Sequence, residues 1–425
     1  MSAYTIGFAG MTHLGLNSAA AAADRNFNIV CFDPDASLIA ALNRGELPVV
    51  EPDLPQILEK NTHLINFTAD ARALAVCDLV YIAPDVPTDD TGQSDLTRID
   101  GLIREVDTVM RADAVMVVLS QVPPGFTRER MRQGRLLHYQ VETLIFGRAI
   151  ERARFPERFI VGCAEPSRPL PAVFAQFLAS FECPILPMRY ESAELAKISI
   201  NMCLVASVGV ANTMAELCEQ TGADWSEIIP ALKLDRRIGP YSYLSPGLGI
   251  AGGNLERDLA TVLTLAERHD TDAGIVSAWV ANSRHRKDWA WGVLRKRVLA
   301  KKSDARVAVL GLAYKEDTHS TKNSPSLLLL SHLDGRNVVV YDPVVSPEQA
   351  RIPFQAAPTA LAAIDGADVI CIMTPWAEFK KLPPSDLVKH MRGRWLIDPY
   401  RVIDGNAARA VGLRYVTLGV APLEA

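Results

Sequence analysis

The sequence predicts an α/β chain: two doubly wound, largely parallel sheets joined by a long helix and a central helical region. Three observations carry this expectation. Short β-branched, apolar runs alternate with helical stretches in the first part of the chain. A long and almost wholly apolar helical stretch follows, and a second set of apolar runs and helices closes the sequence. Strands that alternate with helices indicate βαβ units, whose strands are covered on both faces and so read as unbroken apolar runs.

Taken in order, "YTIGFAG" reads as a strand, "LGLNSAAAAADR" as a helix rich in the best helix former, and "NIVCFD" as a second strand. "DLVYIAP", "AVMVVLS", "TLIFG" and "RFIVGCA" read as further buried strands. From Ser192 the stretch "AELAKISINMCLVASVGVANTMAELCEQTG" reads as one helix ending at Gly222, a residue suited to the left-handed C-cap. A helix apolar on most of its faces has to be covered, either between domains or in a subunit interface, which predicts a homodimer. "DWSEIIPALK" and "DLATVLTLAERHD" continue the helical region to about Leu299, and "AKKSDA" reads as a linker. "ARVAVLGLAY", "NVVVYDP", "ADVICIMTP" and "RWLIDP" are then strands, with "SPSLLLLSHLDG" a helix. The expected division is an N-terminal domain over 1–190, a central helical, dimerisation region over 191–302 and a C-terminal domain over 303–425.

Composition narrows the function classes. At 425 residues the chain exceeds one hydrophobic core, and 49% apolar residues suffice for several. A net charge of -5, with Lys and Arg dispersed, leaves no basic stripe for a nucleic acid. No apolar run of membrane-spanning length lacks polar interruption, and the N-terminal residues show neither basic n-region nor cleavage site, so the expectation is cytoplasmic. Seven cysteines without CxxC spacing and eight scattered histidines predict reduced thiols and no metal site.

The strand–turn–helix "TIGFAGMTHLGLNSAAAAA" is where a dinucleotide pyrophosphate is held, by backbone N–H groups and the helix dipole. Gly10 and Gly15 fit the first and third glycines of the fingerprint, with Leu14 beside the third, whereas Thr12 occupies the middle position that admits the pyrophosphate. Asp33 follows at the end of the second strand, where a carboxylate bonds ribose hydroxyls and disfavours a 2′-phosphate. The expected cofactor is NAD, bound with modest affinity.

Eight segments in order carry a wider resemblance: "NRGELPVVEPDLPQIL", "TGQSDLTRI", "SQVPPGFT", "PERFIVG", "ESAELAKISIN", "LDRRIGPYSYLSPGLGIAGGNLERD", "GLAYKEDTHSTKNSP" and "VVVYDP". The chain resembles the UDP-glucose/GDP-mannose dehydrogenase family over nearly its whole length. The resemblance implies two Rossmann-like domains joined by a long helix, NAD in the first and a nucleotide sugar, a UDP-sugar above all, facing the second. It also implies oxidation of the sugar's C6 alcohol to a carboxylate in two hydride transfers through a cysteine thiohemiacetal. Carried over by motif, the family's helix Lys and Asn fall on Lys197 and Asn201, and its Asp after the glycine loop on Asp258. The cysteine position is Asn254. Gln121, on the cofactor side, stands where the family has Thr. Glu142 retains one of two acidic residues, and the second position is Phe146. Arg237, Tyr243, Gly249, Gly252, Lys315 and Lys322 fall in substrate-facing motifs, Lys322 where the family usually has Arg.

These residue types set the chemistry. Lys197 and Asn201 share a helix face, and a lysine opening an apolar run is either desolvated or paired with a carboxylate such as Asp258. In that position it removes or stabilises the hydroxyl proton. Carrying an aldehyde on to an acid calls for a nucleophile, and an Asn amide is not one. The leading expectation is therefore an NAD-dependent alcohol oxidation on a nucleotide sugar that stops after one two-electron step. The alternatives are the full four-electron oxidation through a hydrate, and a non-redox epimerase or nucleotide-sugar binding protein.

Overall fold

A computed structural model describes residues 4–89 and 92–421. The chain divides into two compact units, residues 1–200 and 201–425. The first holds an eight-stranded sheet of β1 (Thr5–Ala9), β2 (Asn28–Phe32), β3 (Ile65–Thr68), β4 (Leu79–Ile82), β5 (Val115–Val118), β6 (Leu136–Gln140), β7 (Phe159–Cys163) and β8 (Ile185–Arg189). Its order is β3-β2-β1-β4-β5-β6-β7-β8, with β6 and β7 antiparallel.

The strands form because both faces of the sheet are buried. Ile6 and Phe8, Leu79 and Tyr81, and Val115 and Val117 enter one apolar core. Val80 and Ile82, with Met116 and Val118, enter the core on the other face. Each such Val, Leu, Ile or Phe removed from water contributes about 1.5–3 kcal/mol. Helix α1 (His13–Asp24) covers the first face with Ala19 to Ala23 almost fully buried. Small side chains let it lie close to the sheet, and a Cβ at Gly15 would collide with the Gly10 carbonyl.

One expected strand is wrong. "TLIFG" is a loop in which Ile145 and Phe146 are exposed, and the strand there is the preceding Leu136–Gln140. That segment carries His138 and Gln140 inward, and the Tyr81 hydroxyl donates to Gln140 Oε1 at 2.8 Å, which satisfies a polar group inside the sheet.

Helix α2 (Thr97–Val109) lies in the first unit, and α3 (Tyr190–Thr221) begins there and ends in the second. Gly222 follows α3 with φ 79°, in the left-handed region expected of it. By length and composition alone α3 is apolar enough to cross a membrane, and a third of its most apolar stretch is buried. Leu195, Val210, Met214 and Leu217 are exposed, while Glu194, Lys197, Asn201 and Asn212 punctuate the helix.

The second unit contains α4 (Asn254–His269) and α5 (Gly274–Lys287), then a six-stranded, all-parallel sheet. Its strands are β9 (Val307–Leu310), β10 (Val338–Tyr341), β11 (Gln355–Ala356), β12 (Val369–Ile372), β13 (Trp395–Ile397) and β14 (Arg414–Val416), in the order β11-β10-β9-β12-β13-β14. Helix α6 (Pro325–His332) lies between β9 and β10 in the chain and starts from a Ser324 cap bonded to Ser326 N. The short strands β11 and β14 extend the sheet beyond what the apolar runs indicate.

Candidate active site

In the first unit the glycine turn joins β1 to α1. Gly10 adopts φ 101°, and a Cβ there would lie 2.7 Å from Pro84 N, so the turn is restricted to glycine twice over. Asp33 directly follows β2 and is fully buried. Its Oδ2 accepts from Met11 N at 2.8 Å, which locks the turn to the second strand. Gly10, Thr12, Leu14, Gly15 and Asp33 therefore come together around the N-terminus of α1, the arrangement that holds a dinucleotide.

Two side chains crowd this anion site. Thr12 caps α1 without bonding its backbone, and its hydroxyl instead accepts from Asp85 N at 2.8 Å. The Asp85 residue faces solvent in part, but its surroundings desolvate the carboxyl. Burial pushes that carboxyl above its usual range, opposed by the neighbouring His13 charge, the Thr12 hydroxyl and the Leu14 N–H, while Glu142 adds to the upward push. Next to it, His13 Nε2 lies 2.9 Å from Glu51 Oε2, and the Phe146 ring stacks on His13 at 4.0 Å. Glu51 also accepts from Gly147 N and Ala149 N at 3.1 and 2.6 Å, so it ties the loop after β6 to the turn. Asp85 and His13 were not among the residues singled out from sequence. Gln121 lies in the loop that follows β5.

The carboxylate beside Lys197 is Glu142: Nζ lies 2.7 Å from Glu142 Oε1 and donates to the Glu142 carbonyl at 3.1 Å. Both side chains are largely buried, at 11% and 17% exposure, so the pair is fixed rather than solvated. The expectation of a paired lysine holds, with a partner that is 55 positions away in sequence.

In the second unit Asn201 Nδ2 donates a short hydrogen bond to Asp258 Oδ2, and Arg257 Nε donates to Oδ1 at 3.3 Å. All three side chains are buried. Asp258 lies one turn into α4, and Asn254 is that helix's first residue, preceded by Gly253 at φ 98°. The loop leading there rests on two supports. Ile250 N donates to Ser283 Oγ of α5 at 2.8 Å, with Gly249 packed on the Ser283 carbonyl. Gly252 N donates to the Lys322 carbonyl at 3.1 Å, and Gly252 lies against the Tyr314 ring, whose Cε2 a Cβ would meet at 2.5 Å. The Lys322 side chain runs along Gly253, so its ammonium stands at the N-terminus of α4. Lys315 Nζ lies 5.9 Å from the Tyr314 ring centre. Arg237 is exposed and held by Asp235 at 2.6 Å, and Tyr243 is also exposed.

Comparison with known proteins gives this arrangement its context. Residues 4–177 match the NAD-binding domain of the UDP-glucose/GDP-mannose dehydrogenase family, residues 191–284 its central domain and residues 308–405 its UDP-binding domain. The UDP-glucose 6-dehydrogenase of Pseudomonas aeruginosa is 30% identical over 438 residues, which cover 96% of each chain. The chain belongs to the UDP-glucose/GDP-mannose dehydrogenase family. A UDP-glucose 6-dehydrogenase of Bacillus subtilis is 28% identical over 428 residues, 96% of this chain and 92% of that one. Among solved structures, a UDP-D-ManNAc dehydrogenase from Pyrococcus horikoshii matches 99% of this chain and 100% of its own with a TM-score of 0.85 and 25% identity. The family members are NAD-dependent enzymes acting on nucleotide sugars, and NAD is the cofactor of this chain. The residues of the first unit fit that group: the Gly10 turn, the α1 N-terminus and the carboxylate following β2 are all in place, with Thr12 and Asp85 as the departures.

Proposed function

We propose that the enzyme oxidises one alcohol of a UDP-sugar to a carbonyl and stops after a single two-electron step. The reading is supported by Asn254 as first residue of α4, which the motif resemblance aligns with the family's cysteine. NAD, when bound, accepts the hydride. Lys197, held by Glu142 among largely buried surroundings, takes or stabilises the hydroxyl proton, and the Lys197–Glu142 pair can share that proton. Asp258, fixed by Asn201 and Arg257, supplies a buried negative charge that orients donors around it. The Asn254 carboxamide offers both a donor and an acceptor to a hydroxyl or carbonyl, but its nitrogen pair is delocalised into the carbonyl, so it is a poor nucleophile for a covalent adduct.

No other cysteine fills the role. Burial pushes the thiols of Cys77 and Cys371 up to about 12 and that of Cys163 to about 11, raises Cys31 further and also raises Cys183 and Cys218, all away from the thiolate that attacks a carbonyl. Cys203 is exposed and stands two positions after Asn201, roughly 200° around the helix from it. The seven free thiols accord with a reducing, cytoplasmic setting.

The exposed stripe of Val210, Met214 and Leu217 at helical spacing on α3 supports a homodimer formed on this helix. Light scattering at micromolar concentration is expected to give twice the chain mass, and a monomer contradicts it.

The test of the reaction is trapping. With UDP-sugar and NAD present, hydroxylamine is expected to capture an aldehyde or ketone product, and intact-protein mass spectrometry to show no sugar adduct. A covalent sugar–protein species during turnover overturns the reading.

A further inference from the structure

The carboxylate that selects NAD is not bare. Asp33 is buried to 1% side-chain exposure, and Arg98, from the first turn of α2, donates its Nη2 to Asp33 Oδ2 at 2.7 Å. The same oxygen takes Met11 N at 2.8 Å, and Oδ1 takes Asp35 N at 3.1 Å. Three donors thus occupy a group that elsewhere waits for ribose hydroxyls. The Arg98 side chain is 43% exposed, so the solvent-facing element of the pair is the guanidinium. An incoming adenosine meets a cation at this point. A carboxylate excludes a 2′-phosphate by repulsion, and an Arg at the same place accommodates one through charge-assisted hydrogen bonds.

The surrounding charges do not reverse this. The other nearby carboxylate, Asp35, is committed to capping the following helix, where it accepts from Ser37 N at 2.9 Å, Leu38 N at 3.1 Å and the Ser37 hydroxyl at 2.5 Å. These bonds are the first cause holding its carboxyl below the usual range, and Arg98 adds to the effect. From the sequence, Asp33 is expected to disfavour a 2′-phosphate, and no Arg closely follows it; in the structure an Arg reaches it from 65 positions away.

We propose that Arg98 is a cofactor-specificity residue which shields Asp33, so that the adenosine end of the site accepts a 2′-phosphate and NADP(H) binds comparably to NAD(H). This rests on the NAD assignment above, and NADH binding is its internal control. The experiment titrates the full-length protein with NADH and NADPH, following nicotinamide fluorescence, in the parent, Arg98→Ala and Arg98→Lys. The expected parent shows dissociation constants for the two within about tenfold. Arg98→Ala is expected to weaken NADPH by roughly tenfold or more while NADH holds or tightens, because losing charge-assisted bonds costs on that order. Arg98→Lys, which keeps the charge and guards against a folding defect, retains most NADPH binding. Parent protein that binds NADH but rejects NADPH by more than a hundredfold overturns the inference alone. Failure to bind either dinucleotide overturns it together with the cofactor assignment. A NADPH-to-NADH ratio unmoved in Arg98→Ala removes the role of Arg98.

Discussion

The two sheets begin with the same device and finish it differently. In the first, Gly10 turns at φ 101° and the carboxylate at the end of the neighbouring strand, Asp33, accepts from Met11 N. In the second, Gly311 turns at φ 98° and Asp342, at the end of β10, accepts from Leu312 N and Ala313 N at 2.6 and 3.1 Å. Both glycines leave no room for a Cβ, against Pro84 in one case and Thr374 in the other. After Gly10 the chain enters α1 within three residues, whereas after Gly311 it runs as a loop until α6 starts at Pro325. A helix N-terminus attracts an anion through N–H groups and dipole. A loop without one has to use side chains, and this loop carries Lys315 and Lys322 and lays the latter along the N-terminus of another helix, α4. On the proposed reading, one architecture serves two anion sites of different character, one built on backbone dipole and the other on ammonium charge.

That difference makes the two sites separable by mutation. The largest effect is expected from Lys322→Ala, which removes a charged partner and is predicted to weaken UDP binding roughly 10- to 100-fold in calorimetry. NAD binding is predicted to stay within twofold, and Lys322→Arg to restore most of the UDP affinity. If both ligands weaken alike, the separation fails. Asp85→Gly acts in the opposite sense on the first site. Removing a carboxylate from the α1 N-terminus is expected to tighten NAD binding roughly three- to tenfold, with UDP unaffected. The parent's NAD affinity should also rise as pH falls into the titration range of the Asp85 carboxyl, which burial has raised, because the neutral acid no longer repels the pyrophosphate. That pH dependence should shrink in Asp85→Gly, leaving the contributions of His13, Glu51, Glu142 and Lys197 around it. The smallest change is expected from Thr12→Gly, a gain of a fewfold or less in NAD affinity, since the methyl and hydroxyl crowd the turn but carry no charge. Weaker NAD binding in that variant would show that the Thr12–Asp85 bond orders the site more than it blocks it.

What was legible in the sequence follows physical range. Strands buried on both faces announce themselves, as "LVYI" and "VMVV" do, because every position is apolar. "LLHYQ" does not, because it carries two polar residues inward: Gln140 is bonded by Tyr81 of another strand, and the His138 ring packs edge-on against Phe174. The glycine turn and Asp33 were legible since they obey a local spacing. Lys197, Asn201, Asp258 and Asn254 came from motif resemblance. The pairings that give these residues their properties, Lys197 with Glu142 and Asp33 with Arg98, join positions 55 and 65 apart, and nothing local in the sequence signals them. Arg98 lay in plain view within "DLTRI", but its importance depends on α2 delivering it to the end of β2.

On the proposed reading, the reaction ends at the carbonyl because the Asn254 amide is too poor a nucleophile to carry it further. Counting NADH against sugar consumed tests it most directly, under conditions where the nucleotide sugar limits and NAD is in excess. One NADH per sugar, with an aldehyde or ketone as the sole product by mass spectrometry, is the predicted result. Two NADH per sugar, with clean conversion to the sugar acid by the unmodified protein, would contradict the account.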